Sequence, residues 1–213
     1  MKTTLKTAPV KMPVTMQEVK EHLRVTLGRT DEDAYLEGLR SMAVTNVEQI
    51  MRRKLITQSW YYYPVSWPDK PFLPSIEKGA NKQSNKMPIP YGKLQSITSI
   101  KYTNSSEVEA TFSAADYYLT DTNSDLGKAV LRYGESWPSV TLSPSDPIEV
   151  EYICGYGLTG AAVPAPIIHA IKLFVATMYE NRETVIVGPG MVAARPLNLE
   201  SLLNPYILHE VFI

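Results

Sequence analysis

The chain has 213 residues, of which 44% are hydrophobic, and this is enough for one domain of ordinary size with a buried core. Lys and Arg number 21 against 22 for Asp and Glu, a balance that argues against a protein that coats nucleic acid through bulk charge. The single cysteine, Cys154, excludes an internal disulfide and favours a reducing compartment, and the 3 His are too scattered to predict a metal site.

The N-terminal residues 1–12 contain no apolar run typical of a signal peptide, and no stretch of about 18 apolar residues follows. We therefore expect neither export through such a signal nor a membrane span. The 16 Pro and 13 Tyr predict short strands joined by long loops, because Pro interrupts regular elements and Tyr favours half-buried strands and interfaces.

A helical hairpin is predicted over residues 15–54. Thr15 and Glu18 have the spacing of a capping box, and Gly28 is a plausible end for the first helix. The second helix has an acidic start and a core-spaced apolar stripe of Leu36, Leu39, Ala43, Val47 and Ile50. The basic triplet at 52–54 then fits either a solvated last turn or a nucleic-acid contact, and the helix dipole favours the first.

A β-rich segment is predicted over 56–154, with a polar, Pro-punctuated and mobile loop over 64–90. Its last strand, 148–154, alternates apolar residues with Glu149 and Glu151. Two carboxylates on one face of a strand could form an acid–base pair, but a solvated face is the more common arrangement and the one we expect.

A long core helix is predicted over 164–183, with Pro164 and Pro166 in its first turn. Beyond a glycine–proline break, the tail over 187–213 is too apolar to remain solvated and is therefore predicted to dock on a partner. The residues that give it this character are Leu199, Leu202, Leu203, Tyr206, Ile207 and Phe212.

The glycines Gly155, Gly157 and Gly160 have the spacing of a dinucleotide-binding loop. Two prolines delay the helix that should follow, and no strand-ending acid lies about 20 residues on, so we expect an ordinary glycine-rich connection. No nucleophile signature accompanies any histidine or Cys154. The sequence therefore predicts no catalytic residue, cofactor or metal, and no enzyme.

The order of these segments resembles the small head-tail connector proteins of long-tailed bacteriophages and prophages, which dock on the portal. The resemblance covers nearly the whole chain and depends on five segments in a fixed order before a leucine-bearing tail. They are "VTMQEVKEHLRV", "DEDAYLEGLRSMAVTNVEQIMRRKLITQSW", "ITSIKYTNSSEVEATFSAADYYL", "IEVEYICGYG" and "VPAPIIHAIKLFVATMYENRE". It implies a mainly helical α+β fold in which the hairpin and the core helix form a bundle with a small antiparallel β-sheet lobe. The whole of 1–213 would be one connector domain.

The resemblance also implies a structural role at the virion head-tail junction in a protein made in the host bacterial cytoplasm. The chain would form a homo-oligomeric ring, commonly a dodecamer, between the portal and a tail or stopper protein. DNA would pass through its lumen without sequence recognition. A ring needs two different contact surfaces. We expect the C-terminal tail to grip the portal, and exposed aromatic residues to supply a subunit or tail interface: Trp60, Tyr62 and Trp67.

Two other functions remain open on the sequence. One is another phage tail or baseplate adaptor, or a non-enzymatic interaction module outside phages, which would differ in its partner and symmetry. The other is an enzyme with a pocket that no motif announces. If the protein is such an enzyme, nucleotides or metals should bind and raise its melting temperature. For an adaptor or interaction module, we expect no such shift.

Overall fold

The computed structural model describes residues 2–68, 85–120, 126–181 and 197–208. These residues fold into two compact units. The first contains residues 2–8 and the described residues between 57 and 155, and the second contains 9–56 and the described residues between 156 and 208.

The first unit is built of antiparallel strands in two sheets. The larger sheet has five strands in the order β1-β2-β8-β4-β5, and the smaller has three in the order β3-β7-β6. The strands are β1 (Lys2–Thr7), β2 (Gln58–Tyr63), β3 (Lys86–Pro88), β4 (Leu94–Thr103), β5 (Glu109–Phe112), β6 (Tyr117–Thr120), β7 (Lys128–Leu131) and β8 (Ile148–Cys154).

Strand β8 lies at the centre of the larger sheet, and its bounds and alternation are as predicted. Ile148, Val150 and Tyr152 are fully buried, whereas the glutamates between them are half-exposed on the other face. Both sheets contribute to one apolar core, in which the rings of Trp67 and Trp137 pack against Phe112 of β5. The period-2 pattern was sufficient to place this strand because one of its faces must be buried.

Strand β1 is an edge strand that the sequence did not predict. Its residues are mostly exposed and it pairs with β2, for example Lys2 with Tyr63. Its lysines anchor it to the sheet: the Lys6 Nζ lies 2.7 Å from a carboxylate oxygen of Glu151 and over the ring of Tyr61. A strand this polar has no apolar alternation, so only pairing with a distant strand identifies it.

The second unit is helical. Its helices are α1 (Met16–Leu23), α2 (Asp33–Met51), α3 (Ala165–Glu180) and α4 (Leu197–Leu203). They enclose an apolar core to which α2 contributes most, as the stripe predicted for the second helix indicated. Of the tail predicted over 187–213, residues 187–196 and 209–213 lie outside the described residues.

The capping box at the start of α1 is confirmed. Thr15 Oγ1 accepts from the Glu18 backbone N–H, and a Glu18 carboxylate oxygen accepts from the Thr15 backbone N–H at 2.7 Å. The helix ends earlier than predicted, at Leu23, where Arg24 adopts a left-handed conformation (φ 58°). The buried Lys20 fixes the turn that follows, since its Nζ donates to the Arg29 carbonyl oxygen at 2.6 Å.

The expected fold class, a mainly helical bundle with a small β lobe, is wrong. The described residues contain two antiparallel sheets of five and three strands beside short helices. Two features explain the difference: β1 is too polar to be recognised locally, and the segment predicted as loop over 64–90 contains β3 and the buried Trp67. Residues 69–84 of that loop lie outside the described residues, and their mobility stays a prediction.

None of the described helices combines the length and the hydrophobicity that a membrane crossing requires.

Candidate interaction surfaces

The C-terminal segment folds into the core of the helical unit. Leu199 is 5% exposed and Leu203 is fully buried, and both pack in the apolar cluster. Two hydrogen bonds hold the chain beyond α4: the Leu208 backbone N–H donates to the Met51 carbonyl oxygen at 3.0 Å, and Arg53 Nε donates to the Tyr206 carbonyl oxygen at 2.7 Å. This part of the predicted tail is therefore an integral part of the unit.

The predicted portal-docking residues consequently divide into three groups. Leu199 and Leu203 are used in the core, whereas Leu202, Tyr206 and Ile207 are half-exposed. Phe212 lies outside the described residues. A docking role for the half-exposed residues stays a prediction.

The aromatic residues predicted for a subunit or tail interface are mostly internal. Trp67 is 3% exposed and its indole stacks on that of Trp137, with ring centroids 5.1 Å apart and planes at 12°. Tyr62 is 8% exposed in the same core. Trp60 is half-buried, packs against the Tyr91 ring and donates from Nε1 to Gln58. The expectation that Tyr62 and Trp67 are exposed is therefore wrong, because the large rings bury one another.

The glycine-rich connection between β8 and α3 is tightly packed. A Cβ at Gly160 would overlap the Pro13 carbonyl oxygen, and one at Gly157 would overlap the Ala162 Cβ. Gly155 has a φ of 126°, which disfavours other residues. Close approaches within the chain explain Gly157 and Gly160, and the positive φ explains Gly155.

The carboxylates on the outer face of the large sheet already have partners. Glu151 forms an ion pair with Lys6, and Glu149 accepts a hydrogen bond of 3.2 Å from the Tyr63 hydroxyl. Lys101 forms an ion pair of 2.9 Å with Glu109 on the next strand. These pairs satisfy the carboxylates in the sheet, so the acidic pair has a structural explanation.

The fold brings two of the scattered histidines together. His22 of α1 and His169 of α3 lie edge to face, with ring centroids 6.0 Å apart. Partial burial lowers the pKa of His22, and the charges of His169 and Lys172 lower it further. The described residues contain no group of three or more His, Cys, Asp or Glu able to hold a metal ion.

An exposed aromatic surface on the small sheet was not recognised in the sequence. Tyr118 is 45% exposed, the side chain of Tyr133 is fully exposed, and the Arg132 guanidinium lies 6.0 Å from the centroid of the Tyr118 ring. An open groove of about 520 Å³ runs beside these residues. Tyr and Arg are the residue types enriched in binding hot spots, and strand alternation at 117–118 was the signal that one Tyr would face outward.

Comparison with protein-family models gives no match, and comparison with curated protein sequences gives none either. Solved structures do match, over 100% of this chain and 98% of each matched chain. A chain from the "Neck of empty GTA particle computed with C6 symmetry" matches with a TM-score of 0.77 at 20% sequence identity.

Two further chains match nearly as well. One is from the "Virion of native gene transfer agent (GTA) particle", with a TM-score of 0.74 at 19% identity. The other is from the "Neck of native GTA particle computed with C12 symmetry", with a TM-score of 0.74 at 18% identity. At this identity the likeness establishes a shared fold over the whole chain. The resemblance to a protein of phage-like particles is therefore confirmed as a fold shared with these neck and virion chains.

Proposed function

We propose that this chain is a structural protein of the head-tail junction of a phage-like particle. In this role several copies form a ring between the portal and a tail or stopper protein, and DNA passes through the lumen. The observation that supports it is the agreement of the fold, over the entire chain, with chains from particle necks that were reconstructed with C6 and C12 symmetry.

The charge of the chain suits a DNA channel. Strong phosphate binding requires many unpaired Lys and Arg and would retard DNA, whereas the formal net charge here is −1. Among the cations of the described residues, Lys6, Lys20 and Lys101 each lie within an ion pair. The passage of DNA without sequence recognition is consistent with this balance.

The portal contact is proposed at the half-exposed part of the C-terminal segment, Leu202, Tyr206 and Ile207. Deleting this segment is a poor test, because Leu199, Leu203 and Leu208 belong to the core of the helical unit. A point variant such as Ile207→Glu changes the outer surface and leaves these three in place. Its control is Val65→Glu, at a site that is 82% exposed on the other unit.

The deciding experiment is the mass of the purified chain by light scattering, alone and mixed with the portal protein encoded near it, with electron microscopy of the same samples. We expect a closed ring, either from the chain alone or only on the portal. Ile207→Glu should then weaken portal binding and Val65→Glu should not. A chain that remains monomeric and indifferent to the portal would overturn the proposal and favour another tail or baseplate adaptor.

A further inference from the structure

Helix α2 presents an outer face without charge. All of its exposed residues are uncharged, although the outer face of a helix in water usually carries Lys, Glu or Arg. At 100° per residue they fall within one arc along the whole helix. This outer face of α2 consists of Ala34, Tyr35, Gly38, Met42, Thr45, Asn46 and Gln49.

The four charged residues of α2 lie off this face and are half-buried, and each is within an ion pair of its own unit. Arg40 lies 2.6 Å from Glu37, and Lys54 lies 2.8 Å from Glu48. The fourth, Asp33, pairs with the buried Lys20 at 2.5 Å. The helix therefore pairs each of its charges within its own unit. The side chains of Asp33 and Glu37 keep 38% and 46% of their surface exposed, so a partner on the outer face should leave these two at its rim.

Gly38 lies in the middle of this outer face. A Cβ at Gly38 would meet nothing within 4 Å, so crowding by the described part of the chain does not explain the glycine. Glycine is unfavourable in a helix interior relative to alanine, because it loses more backbone freedom on folding. A glycine that is unfavourable and has no internal explanation is expected where another molecule approaches the helix backbone closely.

A second uncharged surface lies in the same unit. Residues 156–168 include no Asp, Glu, Lys or Arg, and Leu158 projects from this segment with 73% of its surface exposed. Exposed Thr159, Ala161 and Ala162 surround it. Two contacts hold the loop: the Val163 backbone N–H donates to the Gly160 carbonyl oxygen, and Gly160 packs on Pro13.

We propose that the outer face of α2 receives the Leu158 loop of a second copy of this chain. A closed ring needs two different surfaces that complement each other on every subunit. The two surfaces match in chemistry, because an apolar projection meets an uncharged face and no ion loses its hydration. The inference depends on the ring of the proposed function and names the surfaces that close it.

Cysteine cross-linking of the assembled protein tests the contact directly. The only native cysteine, Cys154, is fully buried, so the chain is a suitable background. In the double variant Met42→Cys/Leu158→Cys, mild oxidation of the assembly, with or without portal as required, should give a ladder of covalent oligomers. Each single variant should give none. Cross-linking of Met42→Cys alone, or an assembled double variant that yields no ladder, would overturn the proposal.

Gly38→Ala provides a second readout with opposite effects on the monomer and the assembly. The added methyl group should raise the melting temperature of the monomer by about 2 °C. The same methyl group should raise the protein concentration needed for assembly by about tenfold or more, because it fills the space that the neighbouring subunit would occupy. The control is Gly28→Ala, whose Cβ also meets nothing within 4 Å. A Gly38→Ala protein that assembles like the wild type contradicts this contact and leaves the ring intact, whereas a wild type that never assembles contradicts both proposals.

Discussion

The Nε–H of Arg53 donates a hydrogen bond of 2.7 Å to the carbonyl oxygen of Tyr206, which lies 153 positions further along the chain. The Arg53 side chain is 1% exposed, one residue after the left-handed Arg52 that ends α2. The solvated turn expected for the basic triplet at 52–54 is therefore wrong at its central residue. Arg53 fastens the C-terminal segment to the helical unit.

Arg53→Lys should destabilise the protein by about 2 kcal/mol, because a lysine cannot reproduce the planar donor geometry in a buried site. The free energy of unfolding in urea measures the effect. Arg52→Lys is the matched control, since Arg52 is exposed and its replacement should change stability by less than about 0.5 kcal/mol. Equal effects of the two variants would contradict the anchoring role.

Trp67→Ala should destabilise the β unit by about 3–5 kcal/mol, the usual cost of removing a buried indole. Loss of the stacked contact with Trp137 should also reduce the near-ultraviolet circular dichroism signal. Val65→Ala, two residues earlier at an 82% exposed site, should leave both measurements unchanged. A Trp67→Ala protein that keeps its stability but fails to assemble would instead support the interface role expected from the sequence.

Gly160→Ala should lower stability by about 1–3 kcal/mol, because the new Cβ overlaps the Pro13 carbonyl oxygen and the backbone has to move. Gly28→Ala serves as the control here too, and it should be neutral or slightly stabilising. Thermal unfolding of the two variants under the same conditions measures the difference in stability. Equal melting temperatures would show that the loop accommodates a side chain.

The capping box predicts a loss of stability in acid. Hydrogen bonding from the Thr15 backbone N–H lowers the pKa of Glu18 below its ordinary 4.5, so the unfolded chain binds this proton more tightly. The contribution is present above about pH 4.5 and is lost as the pH falls through the folded value. Thr15→Ala should cost about 1 kcal/mol at pH 7, but it keeps the backbone N–H that lowers the pKa of Glu18. Glu18→Gln removes the ionisable carboxyl and should therefore remove the dependence on pH. Urea midpoints from pH 3 to 7 measure both effects, and a Glu18→Gln curve parallel to that of the wild type would contradict the prediction.

The histidine pair predicts a second pH effect of the same sign. Because the folded unit lowers the pKa of His22 below 6.5, the unfolded state binds more protons, and stability decreases as the pH falls below about 6.5. The groups around it are His169 and Lys172, whose Nζ lies 3.6 Å from Glu18. His22→Gln should reduce the change of the urea midpoint with pH between pH 5 and 7. An unchanged slope would exclude His22 as the cause.

The elements predicted best are those whose signals are local. The Thr15–Glu18 capping box and the alternation over 148–154 are fulfilled by residues within a few positions of each other, and both are present as predicted. The shared fold with particle-neck chains also agrees with a resemblance based on the order of segments. The predicted proportion of helix to sheet was wrong, because β1 and β3 have no local pattern that distinguishes them from a loop.

The candidate surfaces depended more on tertiary structure. Apolar residues at 199 and 203 and the aromatic Trp67 were predicted to contact partners, and the fold buries them instead. Composition shows that such side chains must leave water, but not whether the same chain or another molecule covers them. The outer face of α2 is the opposite case: the fold exposes its seven residues together, although no sequence motif marks them as a surface.

The sequence by itself determined the capped start of the first helix and the bounds of the strand over 148–154, because caps and alternating patterns act between near neighbours. It also determined that no charge-based DNA binding was to be expected, from a net charge of −1. Only the tertiary structure decided that β1 closes one edge of the sheet, that Arg53 holds the C-terminal segment, and that Gly38 faces outward. These are contacts, or missing contacts, between residues far apart in sequence, and no local pattern encodes them.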